Sequence, residues 1–95
     1  MARIEVRCDP SGTDAWRCTV RVVEGGGTTE HRVIVRADDV ARLAPDDAEP
    51  TRLVRDSFAF LLEREPKESI LREFELTVIG RYFPEYEAEI RRRRG

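Results

Sequence analysis

From Ala2 to Arg36 apolar and charged residues take turns, and that period of two constrains the fold more than any other feature of the chain. Ala2, Ile4, Val6 and Cys8 alternate with Arg3, Glu5 and Arg7, and Trp16, Cys18, Val20 and Val22 alternate with Arg17, Thr19 and Arg21. Successive side chains of a strand point to opposite faces, so each run predicts a strand with one apolar face and one wet face. A third run sets His31, Val33 and Val35 against Glu30, Arg32, Ile34 and Arg36. Between the runs stand Asp9-Pro10-Ser11-Gly12-Thr13-Asp14 and Gly25-Gly26-Gly27, both made of turn-forming residues. The expectation is a three-stranded antiparallel β-meander over residues 1–36.

Parity restricts the register further, because a slip of one residue moves every side chain to the other face. The apolar residues of the second run are even-numbered and those of the third odd, so their loop must hold an even number of residues: Gly26-Gly27, or Gly25 to Thr28. The first two runs are both even, which calls for an odd loop such as Pro10 to Asp14.

At Ala37 the period becomes helical. Asp38 or Asp39 suits an N-cap, Val40, Leu43 and Ala44 share a face, and Pro45 ends a short helix. After the polar connector Asp46-Asp47-Ala48-Glu49, a main helix is expected from about Pro50 to Glu65, with Pro50 as its first residue. Leu53, Val54, Phe58, Leu61 and Leu62 form its stripe, widened by Phe60, while Arg52, Arg55, Asp56, Glu63 and Arg64 face water. Pro66 forces a break. The remainder to Arg94 reads as interrupted helix, restarted at Pro84. The fold class is therefore α+β: the meander, with its Ile4, Val6, Trp16, Val20, Val22, Val33 and Val35 face covered by a small helical bundle.

At 95 residues and 11.0 kDa there is room for one domain, 1–95, with a helical half from 37 to 94 and a basic tail from 91 to 94. The longest apolar run, Phe58 to Leu62, is far short of the about 20 residues a membrane span requires, and the N-terminus has no apolar leader core. No membrane association and a cytoplasmic address are expected, with Cys8 and Cys18 as reduced thiols dispensable for activity. Charge is segregated: residues 1–36 carry +1, residues 37–90 carry −7 and Arg91 to Arg94 add +4. An acidic helical half is not the footprint of a nucleic-acid binder.

The stretch Ser57-Phe58-Ala59-Phe60-Leu61-Leu62-Glu63-Arg64-Glu65-Pro66, then Ser69-Ile70-Leu71, then Val78-Ile79-Gly80-Arg81-Tyr82-Phe83-Pro84-Glu85-Tyr86, resembles a family of short bacterial proteins with no assigned function. His31-Arg32-Val33-Ile34-Val35 matches an H-x-V-x-V segment in the same relatives. The resemblance implies a bacterial cytoplasmic protein and brings no activity, cofactor or catalytic residue with it.

Taken singly, the reactive residues point to structure. His31 is the only histidine and reads as a partly buried side chain with one hydrogen bond. Cys8, Cys18 and His31 would offer three soft ligands where zinc usually takes four, and no C-x-x-C spacing exists. Gly25-Gly26-Gly27 lacks the strand-to-helix setting of a phosphate loop, Ser57 lacks a nucleophile motif, and the Asp38-Asp39 and Asp46-Asp47 pairs lack calcium-loop spacing. No cofactor, metal or enzymatic activity is expected.

Two surfaces remain. Tyr82, Phe83 and Tyr86 flank Pro84, a chain break that favours display, and are the candidate protein-interaction surface. Arg3, Arg7, Arg17, Arg21, Arg32 and Arg36 fall on the outer sheet face with only Glu5 and Glu30, and are the candidate anion or partner surface. The expected function is a non-enzymatic protein–protein interaction or regulatory module that binds a protein partner or self-associates as a dimer. The alternative is a nucleic-acid-associated protein using the arginine face or a helix-turn-helix-like segment, 68–83.

Overall fold

The computed structural model describes residues 2–45 and 49–94; the Asp46-Asp47 pair lies outside them. Three long strands, β1 (Arg3–Pro10), β2 (Ala15–Glu24) and β3 (Gly27–Arg36), pair antiparallel, and helices α1 (Ala37–Leu43) and α2 (Pro50–Leu62) follow. A further strand, β4 (Glu73–Glu75), joins β3 in parallel, giving the sheet order β1-β2-β3-β4. Helices α3 (Ile79–Tyr82) and α4 (Tyr86–Arg94) complete an α+β fold with a mixed sheet.

Both hairpins keep the loop parity that the alternation requires. Glu24 pairs with Gly27, so the second loop is the even pair Gly25-Gly26, centred one residue before either loop expected. Both glycines have positive φ, 62° and 78°, the conformation a two-residue hairpin turn needs. Pro10 pairs with Trp16, which leaves the odd stretch 11–15 between them. Cys18, Val20, Val22, Val33 and Val35 are fully buried beneath α2. Ile4, Val6, Cys8 and Trp16 pack against that core but stay partly exposed at the sheet margin.

The meander is not the whole sheet. Residues 70–75, expected as helix, are extended and lie along β3, where the amide of Arg32 donates to the carbonyl of Arg72 at 2.7 Å and Phe74 stands beside Val33. Pro66 holds an extended ψ of 157° and releases the chain from α2, and only one turn of 3₁₀ helix, Lys67–Ser69, intervenes. This also removes the helix-turn-helix reading of 68–83: its would-be first helix is extended and ends in β4, and its second is one turn of 3₁₀ helix, Leu76–Val78, leading into the single turn α3.

Helix ends differ in detail. Arg36 caps α1 without a side-chain bond, placing Asp38 and Asp39 in the first turn, where they complement the helix dipole. Glu49 caps α2 by accepting from the Thr51 amide, with Pro50 in the first turn as expected, and the helix closes at Leu62. Pro84 lies in the turn before α4 rather than at its first position. Among the described residues no helix is long and apolar enough to cross a membrane.

Candidate functional site

Where α2 ends, the chain has to return along the sheet margin through 67–72 before it can form β4, and α3 crosses the gap left behind. The result is an apolar cleft of about 210 Å³, walled by Leu61 and Glu65 at the end of α2, by Ile70 and Leu71, by Phe74, and by Val78, Ile79 and Tyr82. Leu71 and Tyr82 on its rim are, among the described residues, the large hydrophobic side chains that stay exposed, at 46% and 66%. Glu65 is the one acidic group in this wall, and burial pushes its carboxyl above the usual range.

The expected aromatic surface thus divides. Tyr82 is exposed, Phe83 is half-buried edge-on to Phe60, and Tyr86 is fully buried. Ser57 fixes Tyr86: its hydroxyl donates to the Leu53 carbonyl at 2.8 Å, so it receives the Tyr86 hydroxyl proton at 2.6 Å. Burial raises the Tyr86 pKa far above its ordinary value, which keeps the phenol neutral and donating. With Phe60 at 5.3 Å, Tyr86 is the pin between α2 and α4. Leu71 had no such aromatic signal and was missed; exposure of an apolar residue in a non-helical segment is visible only once β4 is known.

His31 is also structural. Its Nδ1 lies 2.7 Å from the Leu71 carbonyl, which can only accept, so Nδ1 carries the proton and Nε2 accepts from the Thr29 hydroxyl at 2.9 Å. Burial lowers its pKa, against the backbone bond that raises it. A neutral imidazole with both nitrogens engaged ties β3 to the cleft wall.

The six arginines do share the outer face, but that face is not strongly cationic. Arg32 pairs with Glu73 at 3.2 Å and Arg36 with Glu75 at 3.0 Å, because the unforeseen β4 brings two acids to the same side. Arg3 pairs with Glu5, Arg7 with Asp9, and Arg21 lies 3.8 Å from both Glu5 and Glu30. Six arginines against Glu5, Asp9, Glu30, Glu73 and Glu75 leave a local balance of +1. Arg17 makes no ion pair among the described residues and borders a shallow surface with Ile34, Glu73 and Glu75.

The cysteines are a correction. Cys8 and Cys18 sit directly opposite each other on β1 and β2 and are joined by a disulfide. Shared parity had placed them on one face as near neighbours; the compartment argument, not the geometry, had kept them apart. Bonded to each other they are not available as ligands, and no group of three metal-ligating side chains occurs among the described residues. Comparisons with protein-family models, with curated proteins and with solved structures find no match.

Proposed function

We propose that this protein is a non-enzymatic interaction module that receives a protein segment in the Leu71–Tyr82 cleft. The observation that carries this is the coincidence of the apolar cleft with the two large hydrophobic side chains left exposed on its rim. Its volume is below the about 300 Å³ at which small-molecule sites usually begin, but suits one or two anchoring side chains of a partner. Glu65, desolvated in the wall, selects a segment that brings a basic group beside its apolar anchor.

Nucleic-acid association through the arginine face is the second reading, and Arg17, which makes no ion pair among the described residues, is what favours it. The ion pairs of the other five weaken it, since backbone binding needs uncompensated cations. Membership of the family of short bacterial proteins belongs to the leading reading, and so does a cytoplasmic address, against which the Cys8–Cys18 disulfide counts. Free thiols at Cys8 and Cys18, trapped by alkylation in intact cells, would support that address. A fully formed bond in growing cells would place the protein in an oxidising compartment instead.

The test is affinity capture from the native cell with nuclease treatment, comparing the protein with its Leu71→Ala and Tyr82→Ala variants. A nuclease-resistant partner, released by both variants, supports the cleft. A partner indifferent to both variants, or lost on nuclease treatment, contradicts it.

A further inference from the structure

Strand β1 is one margin of the sheet, and among the described residues no strand lies on its outer side. Arg3 to Pro10 keep consecutive partners on β2, so this free edge runs eight residues without a bulge. Natural sheets guard such edges with inward charges, bulges, proline or shortness. The opposite margin is short, since β4 has three residues. On β1 the row facing the helices is Ile4, Val6 and Cys8, and proline comes only at the last position.

The phase of the ladder says which backbone groups are unspent. The tight turn at Gly25-Gly26 makes Glu24 and Gly27 a hydrogen-bonded pair, and such pairs alternate with non-hydrogen-bonded ones. Even-numbered residues of β2 therefore bond β3, and odd-numbered ones bond Arg3, Glu5, Arg7 and Asp9 of β1. The amides and carbonyls of Ile4, Val6 and Cys8 point away from the sheet. The short Cα separation of Cys8 and Cys18, 4.0 Å, agrees, because non-hydrogen-bonded pairs are the closer ones.

We propose that β1 pairs antiparallel with β1 of a second copy about a two-fold axis at Val6, joining two four-stranded sheets into one. This register sets Val6 against Val6, Ile4 against Cys8, Glu5 against Arg7 and Arg3 against Asp9. The free amides and carbonyls of both edges are satisfied, the half-exposed apolar row is covered, and all four facing charge pairs are opposite in sign. Moving the axis to Glu5 opposes Glu5 with itself and Arg3 with Arg7. Moving it to Arg7 opposes Arg7 with itself and Glu5 with Asp9. An axis at Cys8 sets Val6 against Pro10, which has no amide to give, and an axis at Ile4 confines the facing charges to Arg3 and Glu5. A shift that mixes even with odd positions turns the apolar row of one copy outwards. The alternation of Arg3, Glu5, Arg7 and Asp9 thus selects the longest self-complementary register.

Sedimentation equilibrium across a micromolar series tests this independently of the cleft, with circular dichroism confirming that each variant folds. The protein should populate a dimer. Glu5→Arg and Arg7→Glu singly should each weaken dimerisation by about tenfold or more, and the two together should restore it, because the exchanged charges again face each other. Tyr82→Ala should leave it unchanged. A monomer's mass throughout, or a dimer that the charge exchanges leave intact or that Tyr82→Ala dissolves, would overturn the proposal.

Discussion

Three sites, His31, Tyr86 and the Cys8–Cys18 bond, concentrate the energetics that can be checked singly. His31 is held neutral, with its pKa below the ordinary 6.5. The unfolded chain takes up a proton at that value and the folded chain does not, so folding stability is full above it and falls as pH drops below it. Denaturant titrations between pH 7.5 and 5 should show this loss, and His31→Phe should lack that part of it while costing about 1–3 kcal/mol for the Leu71 carbonyl and Thr29 hydroxyl it orphans. At the α2–α4 contact, Tyr86→Phe deletes one hydrogen bond and should cost about 0.5–1.5 kcal/mol, whereas Tyr86→Ala empties a fully buried site and should cost about 3–5 kcal/mol. Any loss of partner by the alanine variant would therefore report unfolding, which is why Leu71 and Tyr82 are the informative positions. The Cys8–Cys18 bond closes a short loop, and reductant should lower the melting temperature by the equivalent of about 2–4 kcal/mol.

At the scale of elements, the hairpins were legible because their information is local. Alternation gives the strands, parity gives the registers, and glycine gives the turn; Gly25→Ala and Gly26→Ala should each destabilise by about 1 kcal/mol, read from chemical denaturation, since both backbones are left-handed. Strand β4 was not legible for the opposite reason. Glu73-Phe74-Glu75 does alternate, but three residues of alternation fit a helix equally well, and what decides is the neighbouring edge of β3, 41 residues away in sequence. The cleft inherits this: Leu71 and Tyr82 come together only after 70–75 is extended, so Tyr82 was foreseen and Leu71 was not. Buried Tyr86 was misjudged because Ser57, its hydrogen-bond partner, lies on another helix.

For the whole molecule, one sheet face covered by helices and the other wet leaves three surfaces with different chemistry: an ion-paired outer face, a bare β1 edge and the apolar cleft. The outer face should be the least specific of them. Replacing Arg17, Arg21 and Arg32 by Gln should leave partner affinity and its salt slope unchanged, as measured by calorimetry across a salt series, because exposed ion pairs contribute little. Hydrogen exchange of the protein alone and with its captured partner separates binding at the cleft from binding on the arginine face, since it reads backbone protection segment by segment. Cleft binding predicts added protection in 69–74 and 78–83, the two segments that wall the cleft, with the central strands unchanged. Added protection confined to the strands that carry Arg17 and Arg32, with the cleft segments unaltered, would contradict it.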